Sequence, residues 1–349
     1  MDAERNMTTH EQPVSGPDDF VDLPIAAFWR RTLAFIFDVT ILIGLGFILC
    51  FGLFGPLAHL GPWARLLGVA IALAYFGILN SRIGRGQTIG KRLLKVEVVG
   101  TDGGHLSVRR SLGRYSVLAV PVFLNGAWIP SASTNIPLLV IMDLLTVGIG
   151  GAILYLYVFN RKTRQSLHDL AARTYVVQAT PRHEPLEVAE PEADTTYVPA
   201  EERPAGVWRG HFVVIGIWLV GVLAVSTVFP LVVDDVGDLK PVVERLQATG
   251  DFYLVSAGFV RTSSDGEQTD DLIVTCLMKE NLPEPDRLQL QYEIAVIVFE
   301  EYPQVRDKDF LTVEVVYACD LGLARVDRGY ALQYALTDWE SIVPPIPGE

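Results

Sequence analysis

A long apolar stretch at residues 28–54 carries two arginines, Arg30 and Arg31, at its start, and one acid, Asp38, interrupts it. The first pair to consider is Arg31 and Asp38. On a helix, their seven-residue spacing places both on one stripe, about 10 Å apart. A carboxylate near the middle of a lipid-facing helix costs about 3 kcal/mol on insertion scales, so it normally faces protein or a water-filled cavity. We therefore expect Asp38 to point inward and to have a partner. Two roles are open for it: an ion pair or protonated acid that locks helix to helix, or a carboxylate that binds a cation or proton during transport.

A second acid, Asp143, interrupts a later apolar run. If the two runs cross a bilayer in opposite directions, the carboxylates of Asp38 and Asp143 differ in depth by about 12 Å in a hydrocarbon core about 30 Å thick. That separation is too large for one shared proton or metal ion, so each acid needs its own partner. We expect Arg65 to be the partner of Asp143. For Asp38 we expect either Arg31 or the loop at residues 81–95.

The segment at residues 81–114 is the most basic part of the chain. Its sequence GRGQTIGKRL invites comparison with a phosphate-binding loop, which needs Gly-x4-Gly-Lys-Ser/Thr. Here five residues separate Gly84 from Gly90, and Arg92 stands where the magnesium-binding hydroxyl belongs. Contact with anionic lipid headgroups explains this loop better than nucleotide binding does. Within it, residues 95–108 alternate apolar and polar side chains around a glycine turn, a pattern that predicts a small hairpin.

Five apolar runs are candidates for membrane-spanning helices, each of which needs about 20 residues. The runs occupy residues 32–54, 64–80, 115–130, 137–159 and 211–233. The third run is marginal, because it is short and contains Pro121. Basic residues cluster at 30–31, 81–114 and 161–173, and the positive-inside rule assigns these segments to the cytoplasm. The pattern predicts a multi-pass protein of the cytoplasmic (inner) membrane, embedded in the lipid bilayer with a cytoplasmic N-terminus and an extracytoplasmic C-terminus.

The last part of the chain, residues 234–349, is long enough to bury a core of its own. Its periodicity predicts the order helix, two strands, helix, two strands, an α+β layer with antiparallel hairpins. It holds 9 Lys and Arg against 23 Asp and Glu and so accounts for the net charge of −13, which argues against nucleic acid as a partner. The predicted fold class is a mainly α-helical integral membrane bundle of about five transmembrane helices, followed by this α+β soluble domain.

The cysteines and histidines give little support to catalysis or metal binding. Cys276 and Cys319 lie on predicted strands of the extracytoplasmic domain, where they either form a disulfide or remain two buried thiols. Cys50, in the first apolar run, is most simply a small apolar filler. The six histidines have no metal-ligand spacing, and His168 beside Asp169 does not make a catalytic pair. We expect no metal site, no cofactor and no enzymatic activity.

Three motifs resemble those of the RDD family of bacterial membrane proteins, named for one arginine and two aspartates. They are AAFWRRTLAFIFD with Arg30, Arg31 and Asp38, GQTIGKRLLKVEVV with Gly86, Thr88, Gly90 and Lys91, and RQSLHDLAARTYVV with His168 and Asp169. Of the two adjacent arginines, Arg31 is favoured because it shares a stripe with Asp38. The resemblance covers residues 25–178 and implies a helical membrane module without an established biochemical activity, commonly suspected of transport.

Asp169 follows a basic cluster on a predicted interfacial helix, which places it near the headgroups. We expect it to pair with Lys91, Arg92 or Arg31 and so to close the loops against the cytoplasmic end of the first span. With this pairing, an aspartate of the family motif would also hold the structure together.

The predicted division of the chain has five parts. They are a mobile tail (1–24), an RDD-like module with four spans (25–178), a Pro/Glu-rich linker (179–206), a fifth transmembrane helix (207–233) and the acidic domain (234–349). Two functions are open. The module either moves a small ion or solute, or it is an anchor or assembly platform whose extracytoplasmic domain binds a ligand or partner protein. Four spans alone would need a homo-oligomer to line a path, which favours the platform.

Overall fold

The computed structural model describes residues 24–129, 135–179, 209–232, 238–264 and 267–342. The predicted tail and linker lie outside these ranges, except for residues 24 and 179. The helices before the acidic domain are α1 (Phe28–Gly52), α2 (Phe54–Ala58), α3 (Ala64–Leu79), α4 (Ile89–Leu93), α5 (Val108–Leu124), α6 (Ile136–Asp143), α7 (Ile149–Phe159), α8 (Leu167–Ala172) and α9 (Arg209–Val232). A 3-10 turn, Gly61–Trp63, precedes α3, and a π-helical turn, Leu144–Gly148, joins α6 to α7.

Within the residues that the structure describes, four helical segments are long and apolar enough to cross a membrane. They are Phe28–Gly52, Gly61–Leu79, Ile136–Phe159 and Arg209–Val228. Large apolar side chains such as Phe51, Leu66 and Ile217 are exposed on them, and exposed apolar surface of this extent marks a membrane-facing protein. Four of the five predicted runs therefore correspond to helices of the expected kind.

The predicted third span at residues 115–130 differs from the structure. Helix α5 begins at Val108 and ends at Leu124, so Arg114 and its basic neighbours belong to the helix and not to the preceding loop. Ser107 caps its N-terminus by accepting a hydrogen bond from the backbone of Arg110. With 17 residues, α5 is too short to belong to the helices that qualify as spans by length and composition.

Helix α5 nevertheless runs antiparallel to α3 along its whole length. At one end the hydroxyl of Ser111 donates to the carbonyl of Phe76, at 3.4 Å. At the other end the guanidinium of Arg65 donates to the carbonyl of Phe123, at 2.7 Å. The two helices therefore cover the same thickness of the bundle.

A two-stranded antiparallel sheet joins β1 (Val96–Gly100) to β2 (Thr174–Gln178). The predicted hairpin at residues 95–108 is wrong, because β1 pairs with a strand beyond α8 and the second half of the predicted hairpin leads into α5. Val98 is fully buried against Ala34 of α1, so the long-range partner brings an apolar core that a local hairpin would lack. The sheet thereby ties the ends of the RDD-like segment to α1.

The acidic domain is one four-stranded sheet with helices packed on it. Its elements are α10 (Lys240–Ala248), β3 (Phe252–Ser264), β4 (Glu267–Met278), α11 (Glu284–Glu301), β5 (Phe310–Asp320), β6 (Arg325–Ala335) and α12 (Leu336–Ile342). The strands lie in sequence order; β3–β4 and β5–β6 are antiparallel, whereas β4 and β5 are parallel and joined through α11. The predicted order of helices and strands is confirmed, with α12 in addition. Trp339, Phe252 and Phe299 are among the largest buried side chains of its core.

The turn between β5 and β6, residues 320–325, inserts among the helices at the end of α1 that lies opposite Arg31. Asp320 accepts two hydrogen bonds from Arg65 of α3, at 2.8 and 2.9 Å. Leu321 is fully buried, and its carbonyl lies so close to Gly68 that a Cβ on that glycine would stand 1.8 Å away. Only glycine permits this approach of the two backbones. We call residues 320–325 the docking turn.

A disulfide between Cys50 and Cys319 fastens the docking turn to α1, with 5.8 Å between the two Cα atoms. Neither alternative for Cys276 and Cys319 is correct, because Cys319 pairs with Cys50 and only Cys276 remains a thiol. The interpretation of Cys50 as an apolar filler is also wrong. Cys276 is a buried free thiol in the domain core, and burial raises its pKa. The cross-link joins residues 269 positions apart, so it locks the acidic domain onto the helices rather than stapling one domain internally.

Candidate functional site

Asp169 is the centre of a buried charged cluster at the Arg31 end of α1. It is the third residue of α8, where it accepts a hydrogen bond from the backbone of Ser166 in a capping box. Its Oδ1 atom accepts from Arg114 Nη2 and Nε, at 2.6 and 2.9 Å, and from the hydroxyl of Thr174 at 3.2 Å. Its Oδ2 atom accepts from Arg31 Nη2 at 3.2 Å. One fully buried carboxylate thus holds two arginines from different helices.

Arg31, one of the three partners that the sequence allows for Asp169, forms an ion pair with it and does not pair with Asp38. Its Nη1 also donates to the carbonyl of Arg164, and the guanidinium lies 5.3 Å from the ring centroid of Tyr157. The neighbouring Arg30 is only partly buried. The burial and the ion pair identify Arg31 as the arginine of the motif that belongs to this cluster.

Asp38 accepts hydrogen bonds from three groups, so its predicted contact with the loop at residues 81–95 is present. The phenol of Tyr75 donates at 2.7 Å, the hydroxyl of Thr88 at 2.5 Å and the backbone N–H of Gly90 at 2.8 Å. Thr88 is also the N-cap of α4. A Cβ on Gly90 would stand 2.2 Å from the carbonyl of Ala34, so glycine is needed where α4 meets α1. The segment that resembles a phosphate loop therefore holds a carboxylate of the same chain.

Lys91 follows Gly90 and enters the same cluster. Its ammonium donates to Asn80 Oδ1 at 2.5 Å, a contact that joins α4 to the end of α3. Desolvation of the ammonium lowers the pKa of Lys91 well below its usual range; Arg114 adds to this effect and the Asp38 charge opposes it. Lys91 does not pair with Asp169, which is one of the partners that the sequence allowed.

His168 lies beside Asp169, with 3.6 Å between its Nε2 atom and the carboxylate. Burial lowers the pKa of His168 to about 3, although the Asp169 charge acts in the opposite direction. For Asp169 burial alone would raise the pKa, but Arg114, His168 and Arg31 together hold it below its usual range. At neutral pH the imidazole is therefore uncharged while Asp169 is ionised.

The folded-state pKa of His168 leads to a testable pH dependence. Between about pH 6.5 and pH 3 the unfolded chain binds a proton at this histidine that the folded chain does not, so stability falls as the pH falls. The expected loss between pH 7 and pH 5 is on the order of 2 kcal/mol. Thermal melting of the purified protein in detergent at a series of pH values measures it. His168→Gln should flatten the profile between pH 7 and pH 5, and an equally steep profile in that variant would contradict the assignment.

A cavity of about 270 Å³ lies beside the cluster, between α1, α3, α5 and α7. Arg31, Asp38, Lys91, Arg114 and His168 form its polar part. The rest of its lining is mostly apolar and aromatic, with Phe35, Phe76, Leu118, Ile153, Leu154 and Tyr157 among the contributors. The cluster and the cavity together are the candidate functional site.

The remaining predicted residues lie elsewhere. Arg65 binds Asp320 of the docking turn, so its predicted pairing with Asp143 is wrong. No described residue forms an ion pair with Asp143, which stands at the end of α6 directly before the π-helical turn. Sequence reasoning missed Arg114 as a partner of Asp169, although its place in a basic stretch near the start of an apolar run was visible. No group of His, Cys, Asp and Glu side chains in the described ranges is arranged to hold a metal ion.

These features define a helical module with candidate membrane helices, whose motif residues clamp loops and helices at one end of the bundle. The sequence model of the RDD family matches residues 25–173, which confirms the resemblance over that part of the chain. A protein of Bacillus subtilis (strain 168) with the name uncharacterized protein YckC is 26% identical over 122 residues, which cover 35% of this chain and 67% of that protein. No solved structure matches the chain.

Proposed function

We propose that this RDD-type membrane protein is a platform that holds its C-terminal α+β domain against the extracytoplasmic ends of its helices, where the domain binds a ligand or a partner protein. The observation that carries the proposal is the docking turn. It fills the space between α1, α3 and α5 with buried side chains, Leu321 among them, and it is fastened by Cys50–Cys319 and Arg65–Asp320. A docking turn that is packed and cross-linked in this way is typical of a rigid support. It leaves little room for an open path through this end of the bundle.

The disulfide also supports the proposed orientation in the cytoplasmic membrane. Disulfides form and persist in oxidising compartments, so Cys50 and Cys319 belong on the extracytoplasmic side. Arg31 lies at the other end of α1, together with the basic segments at residues 81–114 and 161–173. The positive-inside rule puts these segments in the cytoplasm. Both arguments favour a cytoplasmic N-terminus and an extracytoplasmic acidic domain.

Gly68→Leu tests the docking. A leucine side chain at this position collides with the backbone of Leu321, and overpacking of this kind costs about 1–3 kcal/mol. We expect the ratio of docked to undocked domain to fall about 5- to 150-fold, which corresponds to that cost. The measurement is the fraction of chains with the Cys50–Cys319 disulfide in intact cells, from mass tagging of free thiols after denaturation. In the wild type only Cys276 should take a tag before reduction.

Gly44→Leu is the matched control, because a Cβ on Gly44 of α1 meets nothing within 4 Å. This variant should keep the wild-type disulfide fraction. Equal disulfide fractions in Gly68→Leu and wild type would overturn the docking. Three free thiols in wild-type cells would overturn both the docking and the extracytoplasmic position of the domain.

Movement of a small ion or solute is the second candidate function, and the cavity beside Asp38 favours it. A carboxylate at a cavity inside a helical bundle is the usual element of a proton or cation path. Flux of protons and monovalent cations into proteoliposomes tests the idea. Asp38→Asn should abolish any flux, whereas Gly44→Leu should not change it. Wild-type flux no greater than that of empty liposomes would exclude this candidate and leave the platform.

A further inference from the structure

The cavity at the candidate site has more hydrogen-bond donors than the described residues satisfy. Arg31 Nε is a buried donor that has no partner among those residues, and its side chain lines the cavity. A buried donor without an acceptor costs about 1–3 kcal/mol. Lys91 also lines the cavity and has three donors, of which one goes to Asn80. An acceptor placed in the cavity would relieve these groups.

The charges of the cluster favour an anion as that acceptor. Arg31 and Arg114 face two carboxylates, Asp38 and Asp169, and the desolvated Lys91 becomes the third cation when a negative charge beside it raises its lowered pKa. Both carboxylates already accept several hydrogen bonds, so little of their capacity remains for Lys91. One added negative charge would balance the cluster, and buried charge requires such a balance.

The apolar lining of the cavity indicates that the anion has an apolar part. Above the charged floor the cavity is lined by aromatic and aliphatic side chains, which would gain nothing from an inorganic ion. Phe35 of α1 and Leu154 of α7 are 40% and 63% exposed, so they flank a mouth on the outer surface of the helices. At the cluster side of this mouth the hydroxyls of Thr32 and Tyr157 join α1 to α7, at 2.9 Å. The mouth therefore opens towards the surface that lipid covers.

The size of the cavity limits the ligand further. A volume of about 270 Å³ corresponds to about nine water molecules at roughly 30 Å³ each. It is too small for both chains of a phospholipid, but it accepts an anionic head with the first methylene groups of one chain. Basic pockets between transmembrane helices on the cytoplasmic side are known to take anionic headgroups.

We propose that this cavity binds one amphiphilic anion, a carboxylate or phosphate head with an acyl chain, whose head lies at Arg31, Lys91 and Arg114 and whose chain leaves between Phe35 and Leu154. The ligand comes either from a membrane phospholipid or from a free fatty acid, which present the same chemistry. This site lies at the end of α1 opposite the docking turn, so the proposal goes beyond the platform function.

Displacement of a fluorescent palmitate analogue from the purified full chain in a neutral detergent tests the site. Unlabelled palmitate, phosphatidylglycerol, phosphatidylcholine and inorganic phosphate are the competitors. Lys91→Gln should weaken binding about tenfold, because it removes one charge-assisted hydrogen bond without leaving Asp169 unpaired. Leu118→Trp should block binding by filling the cavity. Leu66→Trp, on the exposed surface of α3, is the matched control and should bind like the wild type.

The competitors distinguish the two sources of the ligand. Displacement by palmitate alone identifies a free carboxylate, and displacement by phosphatidylglycerol identifies a lipid phosphate. Equal displacement by phosphatidylcholine or by inorganic phosphate would overturn the proposal, because net charge or the acyl chain would then contribute nothing. Absence of saturable binding, or unchanged binding in both Lys91→Gln and Leu118→Trp, would overturn it as well. Size-exclusion profiles check that each variant is folded.

Discussion

Asp169→Ala is expected to destabilise the folded protein by about 3–5 kcal/mol, enough to remove most of it from the membrane at 37 °C. The substitution leaves Arg31 and Arg114 buried without their common counter-ion. It also removes the acceptor of the Ser166 backbone N–H, so α8 loses half of its capping box. All of these losses fall on the same contact between α1, α5 and α8.

Melting temperature in detergent, followed by size-exclusion chromatography of a fluorescent fusion, measures this effect. Asp327→Ala is the matched control, because Asp327 forms an exposed ion pair with Arg325 at 3.4 Å in the acidic domain. An exposed pair contributes about 0–1 kcal/mol, so the control should melt almost as the wild type does. Equal melting temperatures for Asp169→Ala and Asp327→Ala would show that the cluster does not hold the fold together.

The sequence limited the partners of Asp169 to Arg31, Lys91 and Arg92, because these basic residues stand near the same predicted end of the helices, but it did not choose among them. The role of Arg114 was less visible, since its position in a basic stretch resembled that of a headgroup contact. Arg114 differs from a headgroup contact because α5 begins before it. Ser107 caps the helix seven residues before Arg114, and this carries the arginine into the bundle beside α8.

Contacts between the acidic domain and the helices could not be derived from local patterns. Helical periodicity places Cys50 on a stripe of α1, and strand alternation places Cys319 on β5, but neither pattern gives the distance between two domains. The same limit explains the wrong partner for Arg65, which was chosen by depth in the membrane. Its partner Asp320 belongs to the acidic domain, and the periodicity of the sequence does not show where that domain docks.

The order of elements within the acidic domain was predictable, because its helices and strands have clear periods of their own. The small sheet of β1 and β2 was not, because strand propensity at residues 96–100 does not identify the partner strand. A glycine turn stood next to it and favoured the local pairing. The pairing of β1 with the distant strand β2 is stabilised instead, because both strands bury side chains in one apolar cluster with Ala34 of α1.

Asp38→Ala is expected to destabilise the protein by several kcal/mol, because three donors, two of them buried, lose their acceptor at once. Tyr75, Thr88 and Gly90 would each be left with an unpaired polar group, at a cost of about 1–3 kcal/mol for each group that stays dry. Release of Thr88 and Gly90 would also detach α4 from α1, so Lys91 would leave its position in the cluster. We expect a lower melting temperature in detergent together with faster proteolysis in the loop at residues 81–95.

Asp143→Ala makes the matched comparison, since Asp143 is the other acid on the candidate membrane helices. No described residue forms an ion pair with Asp143, so the substitution removes a polar group without leaving a partner behind. Asp143 is only partly buried, and a carboxylate among apolar side chains is unfavourable, so its removal should leave the melting temperature unchanged or raise it. The two variants carry the same chemical change, so their difference reports the hydrogen bonds of Asp38 and not the loss of an acid as such. A melting temperature for Asp143→Ala as low as that for Asp38→Ala would contradict this prediction. Asp143 would then have interactions that stabilise the fold as much as the hydrogen bonds of Asp38 do.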